Sequence, residues 1–478
     1  MLRPADIART LTLRDLQWMS VFQPHRRDPD LRPVALGFLA LILVGAGALL
    51  LPAAHAAGHR LTVIDALFVS TSAVCVTGLT PINIAETLSG FGQAVVLTLI
   101  QFGGLGIVTA SLMLVMLGRR RLSLAHEGAV AATIGRLQRA RPAELFRFSC
   151  LAVVLAETAG AAGLFWRLRA VNPGADQVQL LWQAVFHAVS AFCNAGFSIF
   201  PEGLVRWRGD AMLLSIIDVL VILGGIGLLS LVNLRYFRFW RHDPRERGQL
   251  TLQTRLAATV SALLLVGGTL ATLLFEWHAT LAGEPLGRRI SWAFFHATSL
   301  RTAGFNVVDV TLMHPATLVL GLGLMFVGGS PGSMAGGIKT VTFAVLFATA
   351  RAALQRKENV EIFGRRINAR TSAIALMIGL VAATIVGAGV IALMFTEFRA
   401  PASAAPDHWL GVIFEAVSAF GTVGLSAGVT PLLTMAGKLV VIALMFIGRV
   451  APMLLAVYLA RPVKRWHTRY AEEQVALG

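Results

Sequence analysis

The chain has 478 residues, 56% of them hydrophobic and only 14% charged, with a mean hydropathy of +0.71. Soluble domains carry roughly 25% charge, so this composition excludes a pair of soluble domains. The net charge of +16 does not make it a nucleic-acid binder, because the basic residues stand in short stretches between long apolar segments, the pattern of an integral membrane protein held by anionic lipid.

Residues 1–32 form a polar leader with six arginines and four acids. It is too long for a signal peptide, and it is expected to stay cytoplasmic ahead of an uncleaved first helix. From there a three-beat pattern recurs four times. A full-length span (33–53, 146–168, 255–277, 371–396) is followed by a shorter apolar stretch (61–75, 179–193, 289–301, 408–421), then by a second span (92–117, 211–234, 315–350, 437–460). The middle stretches are too short to cross a bilayer and suit re-entrant helices. The expected organisation is repeat 1 at 33–117, repeat 2 at 146–234, repeat 3 at 255–350 and repeat 4 at 371–460. They are joined by connections at 118–145, 235–254 and 351–370, and a tail occupies 461–478. The expected fold class is therefore an all-α integral membrane protein: four membrane–pore–membrane repeats, eight transmembrane helices and four re-entrant helices around one central pore.

Two motifs mark each repeat. The short stretch closes in a tetrad, VTGL (76–79), NAGF (194–197), TAGF (302–305) or TVGL (422–425). A serine stands six residues before the tetrad glycine in three repeats (Ser72, Ser190, Ser418) and five before it in the other (Ser299). The second span carries GGLG, GGIG, GGSPG or GRVAP, starting at Gly103, Gly224, Gly328 and Gly448. Four copies of two motifs in fixed order make chance a poor explanation. The leader, the three connections and the tail hold 29 of the 41 basic residues, so the positive-inside rule puts both termini and every connection in the cytoplasm. The short stretches then enter from outside.

Irregular backbone at membrane depth survives only where it is buried in protein or lines a water-filled cavity. Four such segments around one axis would offer a ring of carbonyls able to replace the hydration shell of a monovalent cation. Gly78, Gly196, Gly304 and Gly424 supply the tolerance of positive φ that aligned carbonyls need. Thr77, Thr302 and Thr422 add hydroxyl oxygens and Asn194 an amide oxygen, while the absence of Asp and Glu from the tetrads disfavours a divalent ion. The competing reading is four tight turns.

The stretches STSAVCVTGLT (70–80), FHAVSAFCNAGF (186–197), TSLRTAGFN (298–306) and EAVSAFGTVGLSAG (415–428), with GGSPGSMAGGIKT (328–340) and FIGRVAP (446–452), resemble the Trk/Ktr/HKT superfamily of potassium transporters. The short leader is most like the Ktr-type membrane subunit, with the Trk type second. The resemblance implies a K+ filter built from Val76, Thr77, Gly78, Asn194, Ala195, Gly196, Thr302, Ala303, Gly304, Thr422, Val423 and Gly424. It also implies a homodimer in the bacterial inner membrane and a cytosolic RCK-domain regulatory ring through which a nucleotide (ATP or ADP) acts. Na+ enters as a candidate co-ion. The family reading of residues 328–337, with Gly328, Gly329, Gly332, Gly336 and Gly337, is an intramembrane loop that blocks the pore until a partner moves it; a kinked helix is the alternative. Lys339 follows that loop, and Arg449 is expected to project into the pore and act with it as a barrier, since an intramembrane charge normally faces a cavity or a partner.

Other polar residues receive structural expectations. Glu157 and Asp218 are expected in salt bridges or helix packing, His187 and His296 in packing of the short helices rather than metal binding, and Cys75 and Cys193 as small packing residues. Arg301 is expected near the outer end of the tetrads. The basic runs at 119–121 and 235–247 are topology determinants and candidate docking surfaces for the regulatory ring. No phosphate loop, nucleophile–base set or catalytic carboxylate pair occurs, so no enzyme is expected. The competing functional class is a cation-coupled secondary transporter built on broken helices.

Overall fold

The computed structural model describes residues 32–119, 142–236, 250–398 and 408–460. The leader, the tail and most of both basic runs lie outside them. Fourteen helices of nine or more residues run through these described residues. They are α1 (Arg32–Leu49), α2 (Val63–Val74), α3 (Gly90–Arg119), α4 (Pro142–Val171), α5 (Gln177–Phe192), α6 (Ala211–Ile226), α7 (Leu228–Tyr236), α8 (Leu252–Glu276), α9 (Leu286–Ser299), α10 (Pro315–Phe326), α11 (Thr340–Leu354), α12 (Ala369–Glu397), α13 (His408–Gly421) and α14 (Met435–Ala460). A hairpin of β1 (Val360–Ile362) and β2 (Arg365–Ile367) stands between α11 and α12.

Among the described residues, segments of α4, α8, α12 and α14 are long and apolar enough to cross a membrane. Their outer faces fit that solvent: on α8, Leu263, Val266, Leu270 and Leu274 are all exposed. At helical spacing these make an apolar stripe that only lipid or another protein would cover.

The inner faces form a closed circle. Helix α3 packs on α5, α6 on α9, α10 on α13, and α14 returns to α2. Polar clasps reinforce three of these joints. Trp182 Nε1 donates to Gln93 at 2.8 Å, Arg208 pairs with Glu284 at 3.1 Å, and Lys438 pairs with Asp65 at 2.7 Å. Chain ends remote in sequence thus become neighbours, and the four short helices α2, α5, α9 and α13 point inward together.

The glycine that opens each second motif has a packing reason. A Cβ on Gly103 would stand 2.0 Å from the Val74 carbonyl, on Gly224 1.9 Å from that of Phe192, and on Gly448 1.9 Å from that of Phe420. Bare backbone there lets the second helix lie directly on the end of the short one. Gly103→Ala is expected to destabilise the fold by about 1–3 kcal/mol, because both neighbours are backbone that must separate. Gly47→Ala, where a Cβ meets nothing within 4 Å, should leave the thermal midpoint in detergent unchanged or higher; equal midpoints for the two variants would refute the packing argument.

One span differs from the sequence expectation. The span expected at 211–234 is broken at Gly227, whose φ of 85° ends α6 and starts α7 afresh. The span at 315–350 divides into α10 and α11 with residues 327–339 between them, a non-helical interruption where the loop at 328–337 was expected, not a kinked helix. The hairpin in the 351–370 connection was not foreseen either. It turns on Phe363 and Gly364 with φ of 50° and 70°, the left-handed pair that a two-residue hairpin prefers.

Candidate functional site

Each tetrad begins where a short helix ends. At α2, Val76 N–H bonds to the Ala73 carbonyl at 3.1 Å and Thr77 N–H to that of Ser72 at 2.8 Å. This is the paired C-terminal closure that places the residue after the cap in the left-handed region, usually as glycine. The same pair recurs as Asn194 to Ala191 and Ala195 to Ser190, and as Thr422 to Ala419 and Val423 to Ser418. The first tetrad residue is left-handed in all four, with φ of 54° at Val76, 59° at Asn194, 69° at Thr302 and 49° at Thr422. For β-branched residues this conformation is a genuine outlier, costing on the order of 1–3 kcal/mol. The third residue, the glycine, is left-handed again: 99°, 70°, 75° and 97° at Gly78, Gly196, Gly304 and Gly424.

The four strands close into a ring through these glycines. A Cβ on Gly78 would meet the Ala195 carbonyl oxygen at 2.4 Å, on Gly196 that of Ala303 at 2.7 Å, on Gly304 that of Val423 at 2.4 Å, and on Gly424 that of Thr77 at 2.1 Å. Each glycine thus rests against the middle-residue carbonyl of the next strand, and the fourth strand returns to the first. The serines noted in the sequence brace the ring from behind. Ser72 Oγ accepts from Gly78 N–H at 3.0 Å and Ser418 Oγ from Gly424 N–H at 3.1 Å. Ser190 Oγ donates to the Phe197 carbonyl at 2.8 Å, and Ser299 Oγ donates to that of Phe305. In the third strand Ala303 N–H reaches the Ser299 carbonyl over one residue fewer, which accounts for the shorter serine spacing. The negative ends of four helix dipoles converge on this ring.

One face of the ring opens to a vestibule of about 550 Å³ floored by Gly78, Gly196, Gly304 and Gly424. Its charged lining residues, Glu202 and Asp309, are both acidic and exposed. The opposite face is covered by residues 327–339. There a Cβ on Gly336 would fall 2.0 Å from Thr422 Oγ1, and one on Gly104 lies 3.1 Å from Met334 Sδ and 3.2 Å from Cys193 Sγ. Ser330 N–H bonds to the Gly225 carbonyl at 2.9 Å and Met334 N–H to that of Gly224 at 3.2 Å, so the loop fits the end of α6 beside the Gly227 break. Ser330, Ser333, Met334, Ala335 and Ile338 are buried.

One cation stands against this loop and another ends it. Arg449 of α14, 4% exposed, donates Nη1 to the Met334 carbonyl at 2.5 Å, and its Nε and Nη2 have no protein partner. Lys339 Nζ donates to the Ala335 carbonyl at 2.5 Å.

A family model described as a cation transport protein, TrkH, matches residues 23–465. The chain belongs to the TrkH family of cation transport proteins. It is 34% identical over 459 residues to the potassium/sodium uptake protein NtpJ of Enterococcus hirae, covering 95% of this chain and 98% of that one. It is 35% identical over 452 residues to the Ktr system potassium uptake protein B of Bacillus subtilis, covering 93% and 96%. The crystal structure of the potassium transporter TrkH from Vibrio parahaemolyticus matches with a TM-score of 0.68 at 19% identity, covering 94% of this chain and 89% of that one, a likeness of fold.

Within this TrkH-family chain the remaining polar residues are placed as follows. His187 bonds to the Gln183 carbonyl at 2.7 Å and Ser198 Oγ at 2.9 Å and stacks on Phe200, so it packs α5 as expected. Cys75 and Cys193 are buried. Glu157 accepts from Gln101 Nε2 at 3.2 Å, which ties α4 to α3 by a neutral donor, and Asp218 is buried with its Oδ1 lacking a protein partner. Neither forms a salt bridge among the described residues. Arg301 corrects the sequence expectation: it sits on the loop side of the ring, away from the vestibule, donating to Ser261 Oγ at 3.1 Å and to the Gly328 carbonyl at 3.3 Å. Its place follows from preceding Thr302, the first residue of its tetrad, at the end of the strand farthest from the vestibule.

Proposed function

We propose that this chain is the ion-translocating subunit of a Trk/Ktr-type potassium uptake system in the bacterial inner membrane. The observation that carries this reading is the closed ring of four tetrads, with carbonyls drawn from four chain segments and no acidic side chain among them. Such a ring suits a small, weakly hydrated monovalent cation. The chain then holds four membrane–pore–membrane repeats with eight transmembrane helices, the vestibule faces outward, and both termini lie in the cytoplasm. Val76, Thr77, Gly78 and their counterparts in the other three tetrads coordinate K+. Flux is passive, and Na+ acts as co-ion. Residues 328–337 are the gate, held shut by Arg449 and supported by Lys339, with two positive charges below the filter opposing any cation that reaches them. A cytosolic RCK-domain ring moves the gate in response to a nucleotide, and the subunit works as a homodimer.

The test is Rb+ uptake into proteoliposomes holding the purified chain, with K+ and Na+ as competitors. K+ should compete far better than Na+. Equal competition, or no uptake beyond empty liposomes with the regulatory ring supplied, refutes the reading. The vestibule gives a second expectation. Carboxylates at a mouth with low-dielectric walls raise the local cation concentration, so Glu202→Gln with Asp309→Asn should lower initial uptake about two- to fivefold at low ionic strength. That difference should vanish at about 1 M salt, where the Debye length is about 3 Å. A deficit independent of salt would mean that the two acids act through structure.

A further inference from the structure

The third repeat departs from the other three at one contact. In repeats 1, 2 and 4 the motif glycine lies directly on the carbonyl that ends the short helix: Gly103 on Val74, Gly224 on Phe192, Gly448 on Phe420. In repeat 3 the corresponding glycine, Gly328, lies instead against the Gly336 carbonyl within its own loop, where a Cβ would come to 2.0 Å. It approaches the tetrad only at the Thr302 methyl, 3.4 Å from such a Cβ, and the polar link to the tetrad's flank is made by a side chain. Arg301 donates Nη2 to the Gly328 carbonyl at 3.3 Å and to Ser261 Oγ of α8 at 3.1 Å. The residues just before the other tetrads are Cys75, Cys193 and Gly421, which carry no comparable donor.

Arg301 is 8% exposed, and its Nε has no protein partner. It borders a small cavity of about 20 Å³ with Ser261, Thr298 and the Gly225–Ile226 end of α6. That cavity adjoins the carbonyl of Gly225, which holds Ser330 of the loop. The close backbone contact of three repeats is thus replaced, in the repeat that carries the loop, by a looser approach to the Thr302 methyl and a hydrogen bond from a side chain that borders a cavity about the size of one water.

We propose that Arg301 is the positioning residue that couples the loop to the third filter strand. While its guanidinium holds Gly328, the loop is seated and Thr302, the next residue, is fixed in its left-handed conformation. When the loop leaves, the guanidinium loses Gly328 and turns toward the cavity, and the third strand relaxes with it. Gate position and ion preference are linked through this one side chain. The inference rests on reading residues 328–337 as a gate.

The experiment is Rb+ uptake by the purified full chain in proteoliposomes, without a regulatory ring, comparing Arg301→Gln, Arg301→Lys, Ser261→Ala and Arg449→Ala. Arg301→Gln should raise resting uptake at least threefold and lower the K+ over Na+ preference at least threefold. Arg301→Lys keeps a charged donor and should restore both in part. Ser261→Ala removes one anchor without touching the filter or the loop and should shift both readouts in the same direction, by less. A merely structural role would lower the thermal midpoint without moving the ion preference. Folded Arg301→Gln protein with wild-type uptake and preference overturns the coupling, and so does a misfolded Arg301→Gln protein alongside wild-type behaviour of Ser261→Ala. Arg449→Ala separates the two ideas: raised resting uptake there with none in the Arg301 and Ser261 variants removes the coupling and leaves the gate, whereas no rise in any variant removes both.

Discussion

Gly304→Ser is expected to reduce the preference for K+ over Na+ at least tenfold while the protein stays folded in the membrane. Two independent penalties meet at this residue. Its φ of 75° lies in the left-handed region, where a side chain costs about 1–2 kcal/mol. Its Cβ would also stand 2.4 Å from the Val423 carbonyl oxygen, 3.1 Å from Gly424 Cα and 3.2 Å from Gly196 Cα. All three neighbours are backbone, so none can swing aside as a flexible side chain would. The Val423 carbonyl must rotate out of the ring or the third and fourth strands must part. Either change alters the spacing of oxygens around the ion, and about 1.4 kcal/mol of lost discrimination is a factor of ten. The readout is the Na+ concentration that halves Rb+ uptake, relative to that of K+. Gly323→Ala is the control, since its Cβ meets nothing within 4 Å. An unchanged ratio in folded Gly304→Ser protein would remove selectivity from the tetrads.

The tetrads were legible in the sequence because glycine reports a backbone need directly: Gly78, Gly196, Gly304 and Gly424 stand where positive φ and close approach coincide. The left-handed first residue was not legible. Val76, Thr302 and Thr422 are β-branched and would be assigned to extended backbone by local preference; the helix-end hydrogen bonds and the neighbouring strands impose the other conformation. Asn194 alone carried a local hint, since asparagine tolerates that region. The serines were visible as a spacing but not as braces, because their partners lie on the returning strand. Gly227 was hidden in a run whose hydropathy is continuous across the break, and hydropathy reports burial in lipid rather than the path of the backbone. Arg301 was visible as a buried charge, but its partners, Ser261 and Gly328, come from 40 and 27 residues away. Glu157 and Asp218 likewise showed their place within spans and not what they would meet there.

Arg449→Ala is expected to raise resting Rb+ uptake by at least tenfold in the absence of any regulatory ring. The Arg449 guanidinium donates to the Met334 carbonyl at 2.5 Å across the ring from its own helix, and a hydrogen bond from a charged group contributes about 1.5–3 kcal/mol. Removing it leaves that carbonyl without this partner in a buried site, so the seated position of the loop loses stabilisation while a displaced, hydrated loop loses none. A shift of that size in a two-state equilibrium multiplies the open population about 10- to 100-fold. On the proposed barrier, loss of the charge acts in the same direction, since Arg449 and Lys339 would together oppose a cation arriving below the ring. Arg449→Lys keeps the charge but presents a single ammonium in place of the planar fork, so it should leave resting uptake between the wild type and Arg449→Ala. The two contributions separate by voltage: a steric latch changes uptake equally at every membrane potential, whereas a charge near the ion path changes its voltage dependence. Resting uptake unchanged in folded Arg449→Ala protein would remove this residue from the barrier, and a rise confined to strongly negative potentials would assign it to electrostatics alone.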